Sequence, residues 1–93
     1  MKILIACGSG LGSSFMIEMS MKAILKELGV QAEVTHTDLG SAKGEGADIY
    51  VGTIDIASQL EGMGGEVIAL KNMIDKEDMK RRMEETLKKL GAL

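Results

Sequence analysis

Short apolar runs alternate with longer amphipathic segments along the whole chain, and glycines stand at the joints between them. The aliphatic, β-branched run from Lys2 to Ala6 predicts a buried first strand. It stops at Cys7-Gly8-Ser9-Gly10-Leu11-Gly12-Ser13-Ser14, a glycine-rich turn in which Ser13 or Ser14 is a natural helix N-cap. From about Ser14 to Leu28 the polar residues Glu18, Lys22 and Lys26 recur every four positions, with Phe15, Met16, Met19, Ala23, Ile24 and Leu28 around the rest of the circle. That spacing predicts a helix with a narrow wet face, stopped by Gly29. Beyond Val30, the alternation of Ala32, Val34 and His36 with Glu33 and Thr35 suits a half-exposed edge strand.

Residues 38–46 carry three glycines and little apolar content, and read as a loop or at most one or two helical turns. Ala47 to Gly52 predicts a third strand, Thr53 to Leu60 a short helix capped by Thr53, and Glu66 to Leu70 a fourth strand. Asp75 to Leu90 predicts a final helix with Met79, Met83, Leu87 and Leu90 as its apolar stripe. Its acidic first turn and its last-turn Lys88 and Lys89 agree with the helix dipole. Strands alternating with helices imply parallel pairing, hence an α/β fold: an open four-stranded parallel sheet flanked by helices on both faces, Rossmann-like, with βαβα repeated. Ligands of such sheets bind beyond the carboxyl ends of the strands, so the loop after the first strand is where chemistry is expected.

Composition narrows the classes. The 93 residues hold one Cys and one His, too few for an internal disulfide or a four-ligand zinc site, so neither a metal nor a cofactor is expected. With aromatics at 2%, the core must come from Ile, Leu, Val, Ala and the eight Met. A formal charge of −3 offers no field for nucleic acid or anionic lipid. No apolar run approaches the roughly 18 residues of a membrane span. A single reduced cytosolic domain over residues 1–93, with no nucleic-acid partner and no direct membrane insertion, is the expectation.

Three glycines within positions 8 to 12 let the backbone curl so that several N–H groups converge on an anion. The following helix adds unpaired amide donors and the positive end of its dipole, and a dianionic phosphoryl group is the natural guest. Cys7 stands at the rim of that cradle, where amide dipoles favour thiolate over thiol. Ser9, Ser13 and Ser14 offer hydroxyl donors to phosphoryl oxygens. A lone Cys is otherwise a small core residue, and its place between a strand and this turn is what singles it out. The turn is not a dinucleotide fingerprint, because its third glycine position holds Ser13, and it lacks the Gly-Lys-Ser/Thr of a Walker loop. Phosphatases of the Cys-Xaa5-Arg type also place a nucleophilic Cys between a first strand and a helix. Here the expected Arg position is Ser13, and without a guanidinium clamp hydrolysis of a phosphocysteine should be slow. The residues alone leave open a carrier, a small cysteine-dependent phosphatase-like hydrolase drawing an acid from Asp38 or Asp55, a plain anion-binding module, and, more remotely, a redox thiol.

The loop Cys7-Gly8-Ser9-Gly10-Leu11-Gly12-Ser13-Ser14 after an N-terminal strand resembles the signature of the IIB components of the bacterial phosphoenolpyruvate-dependent sugar phosphotransferase system. It is most similar to the ascorbate type, whose loop reads Cys-Gly-Xaa-Gly-Xaa-Gly-Ser-Ser. The likeness continues in Gly46-Ala47-Asp48-Ile49, in Ile56-Ala57 and in Lys71-Asn72-Met73. The resemblance implies a phosphotransferase subunit in which Cys7 takes a phosphoryl group from a phosphohistidine on a IIA protein. It would pass the group to a sugar, L-ascorbate or a related carbohydrate, bound by the membrane-embedded IIC component. It implies Gly8, Ser9, Gly10, Leu11, Gly12, Ser13 and Ser14 as the phosphate cradle, and a free-standing subunit visiting the inner face of the membrane only through IIC.

Among the remaining candidates, His36 reads as a turn or surface residue and Thr53 as a helix cap, although Thr53 and Asp55 would border the Cys7 loop if the first and third strands are neighbours. Met16 and Met19 are expected in the core and Met21 at the surface, where a Met patch would suit successive partners. Lys80-Arg81-Arg82 reads as a solvated face.

Overall fold

The computed structural model describes residues 1–7, 11–71 and 75–92, and for residues 7, 11–14, 39 and 43 the backbone alone. Its elements are β1 (Lys2–Cys7), α1 (Leu11–Leu28), β2 (Glu33–Asp38), α2 (Leu39–Glu45), β3 (Ile49–Thr53), α3 (Ile54–Leu60), β4 (Glu66–Leu70) and α4 (Lys76–Lys89). The four strands form one parallel sheet in the order β2-β1-β3-β4. This is the open, helix-flanked α/β arrangement that the alternation of elements predicts.

The central strands explain their own composition. Ile3, Leu4, Ile5 and Ala6 of β1 and Ile49, Tyr50 and Val51 of β3 are all buried, because both faces of a central strand are covered. On one face Ile3, Ile5, Val34, Ile49, Val51, Ile68 and Leu70 meet Ile17, Met21, Ile24 and Leu25 of α1 and Met79, Met83 and Leu87 of α4. On the other face Leu4, Ala6 and Tyr50 meet Ala42 of α2 and Ile56 and Leu60 of α3. Edge strand β2 buries Val34 and exposes Glu33, as its alternation predicts, but His36, which the alternation sets on the face of Val34, is exposed.

Helix α1 ends as expected: Gly29 has φ of 73°, Val30 N–H donates to Leu25 C=O at 3.0 Å and Gly29 N–H to Lys26 C=O at 3.2 Å. These are the paired closing bonds of a left-handed C-terminal cap, which β-carbon crowding reserves for glycine. Its other end departs from expectation. The helix begins at Leu11, so Ser13 and Ser14 lie inside the first turn and neither is the N-cap.

The face of α1 also differs. Met21 is fully buried, while Phe15, Met16 and Met19 are 53%, 52% and 58% exposed, the reverse of the expected assignment of the methionines. Ile17, Met21, Ile24 and Leu25 define the stripe on the sheet, and Glu18, expected in the wet stripe, is buried at its border. Residues 38–46 contain a seven-residue helix despite Gly40 and Gly44. Asp38 accepts from Ser41 N–H at 2.7 Å as its N-cap, and Ala42 anchors it to the sheet. In α4 the stripe of Met79, Met83 and Leu87 is buried as expected, but Leu90 is its exposed C-cap. The expected capping by Thr53 is replaced: its hydroxyl donates to Asp55 Oδ1 at 2.7 Å and makes no bond to a helix amide.

Candidate phosphoryl-transfer site

From β1 the chain steps outward to β2, then returns across β1 to β3 and β4. The order therefore reverses beside β1, and the crevice beyond the carboxyl ends of β1 and β3 is the switch point at which α/β sheets take ligands. Cys7 is the last residue of β1 and is paired in register with Asp38 of β2. On its other side β1 runs beside β3, with Ile5 opposite Val51, so Thr53 and Asp55 do border the carboxyl edge where Cys7 stands.

Gly8, Ser9 and Gly10, expected in the cradle, lie outside the described residues, as do the side chains of Cys7, Leu11, Ser13 and Ser14. Of the residues expected in the cradle, 11–14 have a described backbone, that of the first turn of α1. With α1 starting at Leu11, the first-turn amides of Leu11, Gly12 and Ser13 have no acceptor within the helix, and they begin four residues beyond the strand end. An 18-residue helix directs the positive end of its dipole to the same spot.

The surrounding titratable groups are arranged for charge, not for proton donation. Hydrogen bonding from Ser41, through side chain first and backbone amide second, holds the Asp38 carboxyl below its ordinary value. The Thr53 hydroxyl, followed by the Asp55 backbone amide, does the same for Asp55. Both are ionised at neutral pH and unsuited to act as the general acid of a hydrolase. The chain's two arginines, Arg81 and Arg82, both pair with Asp78 on α4, Arg82 Nε lying 2.8 Å from its carboxylate. His36 faces α1, not the crevice: its Nδ1 lies 3.2 Å from Glu18 Oε1, and its register partner is Ile5, two residues before Cys7. Lys80-Arg81-Arg82 is not merely a solvated face, since Lys80 also reaches Glu27 of α1 at 3.2 Å.

The sequence pattern did not identify which large apolar residues are exposed. Phe15, Met16 and Met19 project from the first half of α1, and Ile54, 51% exposed, opens α3 directly after β3. The signal that would have found them is the spacing of Ile17, Met21, Ile24 and Leu25, which fixes the buried face of α1 and leaves the other three outside it.

A family model described as "PTS system, Lactose/Cellobiose specific IIB subunit" matches residues 2–85. The chain belongs to this IIB family. An ascorbate-specific PTS system EIIB component from Mycoplasma pneumoniae is 31% identical over 88 residues, covering 91% of this chain and 93% of its own length. Proteins of the same description from Salmonella typhimurium and Shigella flexneri are each 30% identical over 90 residues, covering 94% of this chain and 89% of theirs. As a IIB component, the protein is a phosphoryl carrier of a sugar phosphotransferase system, a class that works between IIA and IIC partners. The arrangement is in keeping with that role: helix-start amides open at a switch point near the end of β1, and Arg81 and Arg82 are both paired with Asp78.

Proposed function

We propose that residues 1–93 act as one IIB phosphocarrier domain in which Cys7 is the phosphocysteine and Gly8, Ser9, Gly10, Leu11, Gly12, Ser13 and Ser14 are the phosphate cradle. The observation that carries this reading is the position of Cys7 as the last residue of β1, with the N-terminal amides of α1 opening beside it. In the first transfer the Cys7 sulfur attacks phosphorus as the N–P bond of the IIA phosphohistidine breaks, and the thiol proton ends on the released imidazole nitrogen. In the second, a sugar hydroxyl oxygen attacks, the S–P bond breaks, and the hydroxyl proton returns to the sulfur. Unpaired amides aimed at the phosphoryl oxygens stabilise the charge that spreads over them in both transition states.

The sugar we infer is L-ascorbate or a related carbohydrate, supported by relatives at 30–31% identity that carry the ascorbate-specific description. The protein then works in the cytoplasm and meets the inner face of the membrane through IIC. Among the described residues no helix is long and apolar enough to cross a membrane, in keeping with that arrangement. The hydrolase alternative is disfavoured by Asp38 and Asp55, both held ionised where an acid would have to be protonated.

The test is incubation with a phosphorylated ascorbate-type IIA protein, followed by intact-mass and peptide analysis. The expected result is one phosphoryl group on Cys7, absent in Cys7→Ser, with no measurable turnover of an aryl phosphate. Label that persists in Cys7→Ser refutes the assignment.

A further inference from the structure

Glu18 is the one buried charged residue among the described residues, and phosphoryl transfer as drawn above gives it no task. Its Oε1 lies 3.2 Å from His36 Nδ1, a contact that joins α1 to the edge strand β2. The Glu18 side chain is 11% exposed against 36% for His36, so the carboxylate has little water to turn to. We propose that this pair is a register pin, which fixes α1 along and around its axis and so places the helix-start amides relative to the end of β1. Glu18 and His36 are then positioning residues of the transfer site. The proposal rests on the carrier reading given above and adds what sets the geometry of its cradle.

Position along both elements supports the pin. Glu18 follows Leu11 by seven residues, about 10 Å of helix at 1.5 Å per residue. His36 pairs in register with Ile5, and Cys7 lies two residues further along β1, about 6.6 Å on. Ahead of Glu18 on the helix, Phe15 and Met16 are exposed, and the stripe facing the sheet begins only at Ile17. Among the described residues, Glu18 to His36 is also the one side-chain hydrogen bond between α1 and the sheet. Packing by Ile17, Met21, Ile24 and Leu25 holds the helix down, but apolar attraction is non-directional and the unbranched Met21 adapts to small shifts. A hydrogen-bonded carboxylate does not adapt. Sliding or rotation that moves Glu18 by about 1 Å takes the contact out of hydrogen-bond range and leaves a nearly buried carboxylate unpaired. The bond thereby selects one placement among those that the apolar stripe permits. Fixing register is the best-attested use of buried polar groups, which add little net stability over apolar replacements. Placement matters at this site because amide donors stabilise a transferring phosphoryl group only at the right distance, and a 1 Å error lowers rates by as much as about 100-fold.

The experiment measures phosphoryl transfer to the full chain from a phosphorylated ascorbate-type IIA protein at varied concentration, with thermal melts of each variant. Glu18→Leu/His36→Ala removes the bond without leaving a buried charge, and Glu18→Gln keeps a side chain of the same shape that still bonds to His36. The control, Glu27→Gln/Lys80→Met, breaks the exposed 3.2 Å pair that ties the far end of α1 to α4. For Glu18→Leu/His36→Ala the expected melting temperature is within ~4 °C of wild type or above it. Its maximal transfer rate falls about 10-fold or more, with the half-saturating donor concentration within about twofold. Its Cys7 thiol, followed by iodoacetamide rate against pH, titrates at higher pH than in wild type, because displaced amides favour the thiolate less. Glu18→Gln stays within about threefold of the wild-type rate, and the control behaves as wild type. A folded Glu18→Leu/His36→Ala protein with wild-type rate and thiol titration overturns the proposal. So does failure of that variant to fold, which makes the pair a requirement of the fold itself. A Glu18→Gln protein as slow as the double variant also overturns it, by assigning the effect to the charge of Glu18. Failure of wild-type Cys7 to label at all refutes the carrier reading instead, and the iodoacetamide titration, which needs no phosphate, still reports on the pin.

Discussion

Replacing Gly52 with alanine strikes the seam between β1 and α3, one residue before Thr53 at the edge of the crevice. A β-carbon built at Gly52 lies 3.0 Å from Ile56 Cγ2, 3.3 Å from Ile56 Cβ and 3.2 Å from the Ala6 carbonyl oxygen. Carbon pairs prefer about 3.5–4.0 Å, so Ile56 or the strand must retreat by roughly half an ångström. Neither yields easily. Ile56 is buried and branched at the very carbon that is touched, and Ala6 is fixed in a central strand. Such overpacking costs about 1–3 kcal/mol. Against it stands the ~0.4–1 kcal/mol that a Gly→Ala change contributes by restricting the unfolded chain, and Gly52 is not among the glycines of positive φ where that gain would be forfeited.

The net expectation is a loss of about 1 kcal/mol, read as a fall in Tm of ~4–8 °C for a domain of this size. Urea unfolding of Gly52→Ala, Ile56→Ala and the double variant isolates the contact. Ile56→Ala alone costs ~2–4 kcal/mol through its cavity, but it also removes Cγ2, so the double variant should be more stable than the sum of the singles by about 1 kcal/mol. A Gly52→Ala protein as stable as wild type, or additivity within ~0.3 kcal/mol, refutes the reasoning. Because the displaced segment leads into Thr53 and Ile54, the same variant should accept phosphate from IIA more slowly. A stability loss without a rate effect would confine the seam to a structural role.

Two further outcomes follow from charged groups. The carboxyls of Asp38, Asp55 and Asp78 have folded pKa values below the unfolded value, so their stabilisation is complete above about pH 4 and is lost as pH falls through the lower folded values. Thermal melts from pH 7 down to about pH 2 should show that acid limb, and a triple Asp→Asn variant should flatten it; an equally steep limb in the variant contradicts the assignment. His36→Ala leaves the largely buried Glu18 carboxylate without its imidazole partner. It should cost ~1 kcal/mol, at the low end of the range because the His36 side chain is 36% exposed, with Glu18→Leu/His36→Ala recovering most of it in denaturant titrations.

What could be read from the sequence follows from how local each cause is. The runs of β1 and β3 and the stripe of α4 carry their own signal, because a strand covered on both faces is apolar throughout and a helix covered on one is apolar at every third or fourth residue. Helix α1 defeats that logic since Phe15, Met16 and Met19 are as apolar as the residues it buries. Its rotation is set by which stripe fits the sheet, and Glu18 is tolerated inside because His36 of another element meets it. Helix α2, seven residues long, falls within the one or two turns that the sequence allowed, though its signal is weak. Gly40 and Gly44 lower its propensity, and the Asp38 cap together with the burial of Ala42 restores it. The Thr53 hydroxyl illustrates the limit in reverse: a residue suited to capping was drawn to a carboxylate two positions on. The place of Cys7 at the end of β1 was legible because the strand's end is marked by its own chain neighbours, whereas the exposure of Phe15, Met16, Met19 and Ile54 depends on how α1 and α3 seat on the sheet.

The site's electrostatics favour carrying a phosphoryl group over hydrolysing it. A hydrolase of this topology needs a cation to grip the transferring group and an acid to protonate what leaves. Here Arg81 and Arg82 are occupied by Asp78, and Asp38 and Asp55 are kept ionised by hydroxyl and amide donors. On the proposed carrier reading, ionised carboxylates at the strand ends would repel a dianion on Cys7, raising the free energy of a phosphocysteine relative to the phosphorylated products of onward transfer. The amides of α1 oppose that repulsion only while the phosphoryl group rests in the cradle. A group held by neutral backbone donors and pressed by nearby negative charge is retained without being trapped, which is the balance a relay requires. Replacing that arrangement with a guanidinium at position 13 would deepen the ground state and stabilise attack by water together. With Ser13 at that position, the sequence fits the proposed carrier better than a hydrolase.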